Sequence, residues 1–315
     1  MLSLSYFGSM SVCLLHPARS QALTLTPRVA ELLAFLALRR GQFFTRPEIA
    51  ESVWAHSDGD ATVASVNTAL WRLRRIIEQA PVRRGDFLVS SRQGAVSLNG
   101  PGPVAVDIAD FEALARSGLS KAIEQVTDAD CKALRASVDL YRDNALAEFT
   151  GAWALKQRER LRNTFLDAAG RLMQLSSLRC QYADAIHYAH LVLEVDELRE
   201  DVHRELMQLL VLNGQRALAL RQFEACRAAL QRELAIKPMP ETMTLYREIA
   251  DSAVELKLAR RGDAAVPSAA EAPASIKTVV PTGATTTPVD QVRFARSLIA
   301  EADQCLQHTL DLIQH

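Results

Sequence analysis

The chain has 315 residues, 49% of them apolar and 23% charged, with a formal net charge of −1. Such a length exceeds one ordinary domain, and the apolar content suffices for real cores, so two globular units with a tail are expected and wholesale disorder is excluded. No apolar run approaches the ~20 residues of a membrane span, and the start MLSLSYFGSMSVCLLHPARS has no basic leader, which places the protein in the cytoplasm.

The five cysteines, Cys13, Cys131, Cys180, Cys226 and Cys305, form no CxxC pair, which argues against structural disulfides and a zinc site. Charge is uneven along the chain. Residues 1–100 carry eleven arginines, no lysine and seven acidic residues, and six of those arginines fall between Arg72 and Arg92. A basic first unit joined to an acidic second one suggests a polyanion partner for the former and a protein partner or self-association for the latter.

In chain order, Leu2, Leu4 and Tyr6, then Met10, Val12 and Leu14, then Leu23 and Leu25 alternate in the β manner about Gly8 and the stretch Pro17 to Gln21, predicting three short antiparallel strands. Thr26-Pro27 opens a helix that closes before Gly41. Thr45 and Glu48 form a capping box for a second helix carrying Ile49, Val53 and Trp54. After the polar turn His56 to Asp60, Thr62 or a neighbour caps a third helix, SVNTALWRLRRIIE. Val66, Leu70, Leu73 and Ile77 make its apolar stripe, and the opposite side holds Thr68, Trp71, Arg72 and Arg75, flanked by Asn67 and Arg74. The two short runs within Phe87 to Leu98, about Arg92-Gln93-Gly94, read as a hairpin.

That third helix carries the strongest functional signal. Asn67 and Thr68 can bond to base edges, Arg72 can take a guanine or a phosphate, and Arg74 and Arg75 suit phosphates further along. Trp71 either stacks on DNA or folds over the wing or the preceding turn. Arg92 at the hairpin tip is a candidate for minor-groove or phosphate contact, and Thr45 and Arg46 could meet phosphate through free amides and charge.

Beyond Gly100 to Pro103 nearly everything reads as helix, including Asp130–Asn144, Ala152–Leu178 and Met239–Ala259. LMQLSSLRCQYADA (Leu172 to Ala185) and LMQLLVLNGQRALA (Leu206 to Ala219) align at an offset of 34 residues with eight of fourteen positions identical. That period belongs to tetratricopeptide repeats, with Ala185 and Ala219 where paired helices approach closely. Lys156 to Arg162 reads as a solvated charged face. Past Arg261, Ala, Pro, Thr and Ser dominate, as in a disordered linker, and Gln291 to His315 returns to an amphipathic pattern. No phosphate-binding loop, nucleophile elbow or HExxH pair occurs, so no enzyme and no cofactor are expected. His187, His190 and His203 suggest at most an incidental metal site, and none is assigned.

Three strands, three helices and a terminal hairpin resemble an OmpR-type winged helix-turn-helix. With the helical half added, the chain resembles the SARP-like bacterial transcriptional activators, in which that winged helix precedes a bacterial transcriptional activator domain of tetratricopeptide-like helices. The resemblance rests on LTPRVAELLAFLALRRGQFFTRPEIAESVW, SVNTALWRLRR, DIADFEALARSG, ALAEFTGAWALKQRERLR, the segment from Tyr182 to Leu230 and ELAIKPMPETMTLYREI. It implies an α+β N-terminal domain (1–102) and an all-α repeat domain (103–260), to which composition and periodicity add a linker (261–290) and a C-terminal helix (291–315). It also implies a sequence-specific regulator, commonly an activator that binds promoter repeats in double-stranded DNA as a homodimer and contacts RNA polymerase. The family often has an aromatic after the wing glycine, where this chain has Ala95. The residues alone leave open a helical-repeat adaptor whose winged helix serves protein contact.

Overall fold

Alternation at the N-terminus yields β1 (Leu2–Ser5) and β2 (Ser11–His16), with Leu2, Leu4, Val12 and Leu14 turned into the core. The third strand, β3 (Arg19–Ala22), instead falls on the stretch expected to turn, is exposed throughout, and ends before Leu23 and Leu25, because its pairing with β2 and not an apolar stripe makes it a strand. The computed structural model describes residues 1–16, 19–54, 62–142 and 144–262. The expected linker from residue 263 onward and the C-terminal amphipathic segment lie outside the described residues, as does the polar turn at 55–61. β1 pairs antiparallel with β2, and β2 with β3. A fourth strand, β6 (Val104–Val106), lies beyond the Gly100 to Pro103 break and pairs parallel with β1, giving the order β3-β2-β1-β6. The second half of the chain therefore begins inside the first half's sheet.

Three helices pack against one another and share one buried core with this sheet: α1 (Pro27–Leu38), α2 (Arg46–Trp54) and α3 (Val63–Ile77). Thr26 stands at the cap position of α1 without a side-chain bond, so the fixed φ of Pro27 marks the start. α1 buries eight residues from Val29 to Ala37, and Val66, Ala69, Leu70, Leu73 and Ile77 of α3 complete the core. The hairpin of β4 (Leu88–Ser90) and β5 (Val96–Leu98) is tied back to the body where Phe44 and Val96 exchange backbone bonds of 2.9 and 2.8 Å.

The rest is helical: α4 (Asp107–Leu119), α5 (Asp128–Leu140), α6 (Ala152–Leu178), α7 (Tyr182–Val195), α8 (Glu200–Leu212), α9 (Arg216–Leu234) and α10 (Pro240–Gly262). α5 ends four residues earlier than its periodicity suggests, because Tyr141 leaves the helix to stack on Phe165, 4.4 Å between centroids, and to meet Phe7 of the sheet at 5.2 Å. The charged stretch in α6 is not a plain solvated face. Arg158 donates to the carbonyls of Ala145, Leu146 and Phe149, Arg160 pairs with Glu112 of α4, and Arg162 reaches the Val195 carbonyl at 2.9 Å.

Two contacts explain how the halves are held. Asp107 opens α4, where a carboxylate suits the helix dipole. Its Oδ2 accepts from Ser5 Oγ at 2.7 Å and from the amides of Tyr6 and Phe7 at 2.8 and 3.2 Å. Arg40, just past α1, donates to the carbonyls of Asn99, Gly102 and Val104 at 3.0, 2.6 and 2.7 Å, fastening the break itself.

The 34-residue offset is visible in the turns. Cys180 and Gly214 occupy equivalent positions, both left-handed with φ of 57° and 74°. Gln181 N donates to Ser176 O at 2.8 Å, and Gln215 N to Leu210 O at 2.7 Å, the same helix-terminating bond one repeat apart. Ala185 and Ala219 are fully buried. Glycine adopts this backbone freely, whereas a side chain there is strained.

Cys180→Gly is therefore expected to raise stability by about 0.5–1 kcal/mol, the αL penalty less the added entropy of the unfolded chain; an unchanged urea midpoint would show that Cys180 is unstrained. Asp107→Ala is expected to cost about 2–3 kcal/mol by stranding three donors. Urea unfolding checks this, and a loss below ~0.5 kcal/mol, the usual range of an incidental surface change, would mean that water replaces the carboxylate.

Candidate nucleic-acid interface

α3 starts where Thr62 and Ser65 satisfy each other's backbone amides, so its orientation is fixed at the first turn. With its apolar stripe buried, the opposite edge is left to solvent: Asn67, Thr68, Trp71, Arg72 and Arg75 are all exposed. Thr68 Oγ1 donates back to Ala64 O at 3.0 Å, keeping its lone pairs outward.

Trp71 is 59% exposed and does not cover the wing hairpin. The Arg75 guanidinium sits 5.3 Å from its ring centroid, a cation–π contact worth about 0.5–1 kcal/mol at a wet site. With Arg74, Glu78 and Arg84 they line a shallow cavity of about 240 Å³. A tryptophan left this open forms an apolar, cationic step beside the outward polar residues.

The arginines divide into two groups. Arg74 is drawn inward: its guanidinium lies 3.5 Å from Glu78 Oε2 and 3.4 Å from Ser90 Oγ of β4. The Glu78 side chain is 1% exposed, and its Oε1 accepts from the amides of Gly85, Phe87 and Leu88 at 3.0, 3.2 and 2.8 Å, so this carboxylate anchors the base of the wing to the end of α3. Arg46 is also engaged, with Asn67 Oδ1 and the Gly94 carbonyl. Arg72, Arg75, Arg83, Arg84 and Arg92 are exposed. Arg92 rides on a tight turn in which Gly94, at φ +85°, donates to Ser91 O at 3.0 Å and Ala95 N donates to Ser91 Oγ at 3.0 Å.

Thr45 caps α2 as its spacing suggests. Its amide and hydroxyl donate to Glu48 Oε2 at 2.7 and 2.9 Å, and these bonds hold the Glu48 carboxyl below its ordinary pKa. The sequence reading passed over Glu78, Arg84 and Arg40. Arg84 was visible only as one charge in the 72–92 cluster, while nothing local marks Glu78 or Arg40 as anchors.

The histidines on the repeat helices are used otherwise. His203 is buried, with Nε2 on Glu197 O at 3.0 Å and Nδ1 on Gln222 Nε2 at 2.7 Å, and burial pushes its pKa down. Among the described residues, no group of three or more His, Cys, Asp or Glu could hold a metal ion, and no helix is long and apolar enough to cross a membrane.

Comparison with known proteins follows the same division. Residues 20–93 match the family described as transcriptional regulatory protein, C terminal, and residues 106–250 match the bacterial transcriptional activator domain. The regulatory protein AfsR of Streptomyces coelicolor is 28% identical over 229 residues, and AfsR of Streptomyces griseus 27% over 247. The chain thus carries, in one sequence and in this order, the two domains that its resemblance to the SARP-like bacterial transcriptional activators implies. It spans 71% and 77% of its own length in those alignments but only 22% and 24% of the two AfsR proteins. The transcriptional regulatory protein MoaR1 of Mycobacterium tuberculosis is 25% identical over 232 residues, which cover 71% of this chain and 72% of MoaR1. Among solved structures, Mycobacterium tuberculosis EmbR in complex with a low-affinity phosphopeptide superposes with a TM-score of 0.62 at 17% identity, over 80% of this chain and 65% of that one. The chain thus shares the winged helix-turn-helix and helical-repeat fold of EmbR.

Proposed function

We propose that the protein is a sequence-specific DNA-binding transcriptional regulator of the activator type, acting in the cytoplasm by binding and not by catalysis. One observation carries this: α3 buries its whole apolar stripe and still exposes Asn67, Thr68, Trp71, Arg72 and Arg75 along one edge. A helix so dressed fits a major groove, with polar groups toward base edges and cations toward phosphates. Arg84 and Arg92 extend the cationic surface toward the wing, where phosphate or minor-groove contact is open to them.

The described names of AfsR and MoaR1 support a regulatory role, and the two matched families support the pairing of a DNA-reading unit with an activator domain. In this reading the helical half, about residues 103–260, dimerises the protein on promoter repeats or contacts RNA polymerase. The linker at 261–290 and the C-terminal helix at 291–315 would serve that half.

Arg72 and Arg75 separate base reading from phosphate holding. Arg72→Ala is expected to weaken binding to an enriched duplex by ~1–3 kcal/mol while sparing random DNA, and Arg75→Ala to weaken both alike and lower the salt slope by ~1. Anisotropy titrations over a salt series measure both, and equal losses on the two DNAs from Arg72→Ala would remove its base-reading role.

A further inference from the structure

The Arg46 side chain joins three parts of the surface just described. It leaves the first residue of α2, donates from Nε to Asn67 Oδ1 on α3, and donates from Nη1 to the Gly94 carbonyl at the wing turn. Arginine only donates, so the Asn67 atom facing it is the carbonyl oxygen, and the amide group is thereby oriented with Nδ2 away from Arg46. A Cβ at Gly94 would lie 3.3 Å from Nη1, so a side chain there would push the guanidinium back by a few tenths of an ångström.

The same end of α2 is poorly suited to a phosphate. The Glu48 carboxylate already occupies the start of the helix, accepting from the Thr45 amide and hydroxyl, and those bonds favour its charged form. An incoming phosphate would face that negative charge, while Arg46 has two of its donors committed within the protein.

We propose that Arg46 is a positioning residue for sequence readout. It holds the Asn67 side chain and the wing turn in one arrangement, so that α3 and the wing meet DNA as a single surface, and it does not itself contact phosphate. This rests on the DNA-binding reading above. A lysine at position 46 would keep the charge but replace a planar fork by a single ammonium, which cannot serve two acceptors in the same geometry.

The test uses the full chain, an enriched duplex and a scrambled one, and anisotropy over a salt series for the wild type, R46K, R46Q, N67A and R46Q/N67A. R46K and R46Q are both expected to lose about tenfold or more on the enriched duplex, the scale of one base contact. On scrambled DNA they should stay within about twofold with an unchanged salt slope, since no phosphate contact is removed. Their melting temperatures should match the wild type, and the double variant should lose less than the product of the R46Q and N67A losses, since the two share the Arg46–Asn67 bond. The proposal is overturned if R46K binds the enriched duplex like the wild type, or if R46Q lowers the slope on scrambled DNA by about 0.9, the value of one phosphate contact. It is equally overturned by a lowered melting temperature with proportional loss on both duplexes, which assigns Arg46 to folding alone. A wild type indifferent to sequence removes the DNA-binding reading itself, and this inference with it.

Discussion

The parallel pairing of β6 with β1, closed by the Asp107 carboxylate, is the constraint on which the rest depends. Because β6 returns to the N-terminal sheet before the helical half begins, α4 starts at a fixed place and direction. The carboxylate then takes up the amides where β1 turns toward β2, groups that would otherwise be orphaned. Around this joint the aromatic rings of Phe7, Phe111, Tyr141 and Phe165 meet across the two halves, and Phe35 of α1 packs edge-on against Trp153 of α6 at 5.8 Å. Such a joint makes the winged helix and the helical half parts of one compact unit, residues 1–260.

The second theme is how a dense arginine cluster is partitioned. Placing so many cations near one helix is unfavourable unless some are neutralised, and the fold does this with one buried acid. Glu78 satisfies three amides at the wing base and draws Arg74 inward, while Arg46 is taken by Asn67 and the wing turn. The exposed remainder, Arg72, Arg75, Arg83, Arg84 and Arg92, forms a surface whose shape is set by the inward pair. Trp71 belongs to that surface, stacked by Arg75 and open to solvent.

Features governed by neighbouring residues were legible in the sequence, and features governed by distant ones were not. The Thr45–Glu48 box, the apolar stripe of α3, the wing turn at Gly94 and the 34-residue offset all follow from local spacing. β6 was missed because three residues after a Gly-Pro break carry no periodic signal, and its partner lies about a hundred residues away. The early end of α5 has the same origin, since Tyr141 is won by rings from other elements. At the interface, residue type placed Asn67 to Arg75 on one edge. It could not reveal that Arg46 and Arg74 spend their donors inside the protein, because that depends on where the wing folds relative to α3.

Genome-wide footprinting of the purified protein on fragmented genomic DNA tests the central claim most directly. The account expects protected sites that share a common motif, arranged as repeats, with protection of these sites surviving salt that releases random fragments. Protection that follows fragment length alone, with no enriched sequence, would contradict it and leave the winged helix as a surface for protein contact.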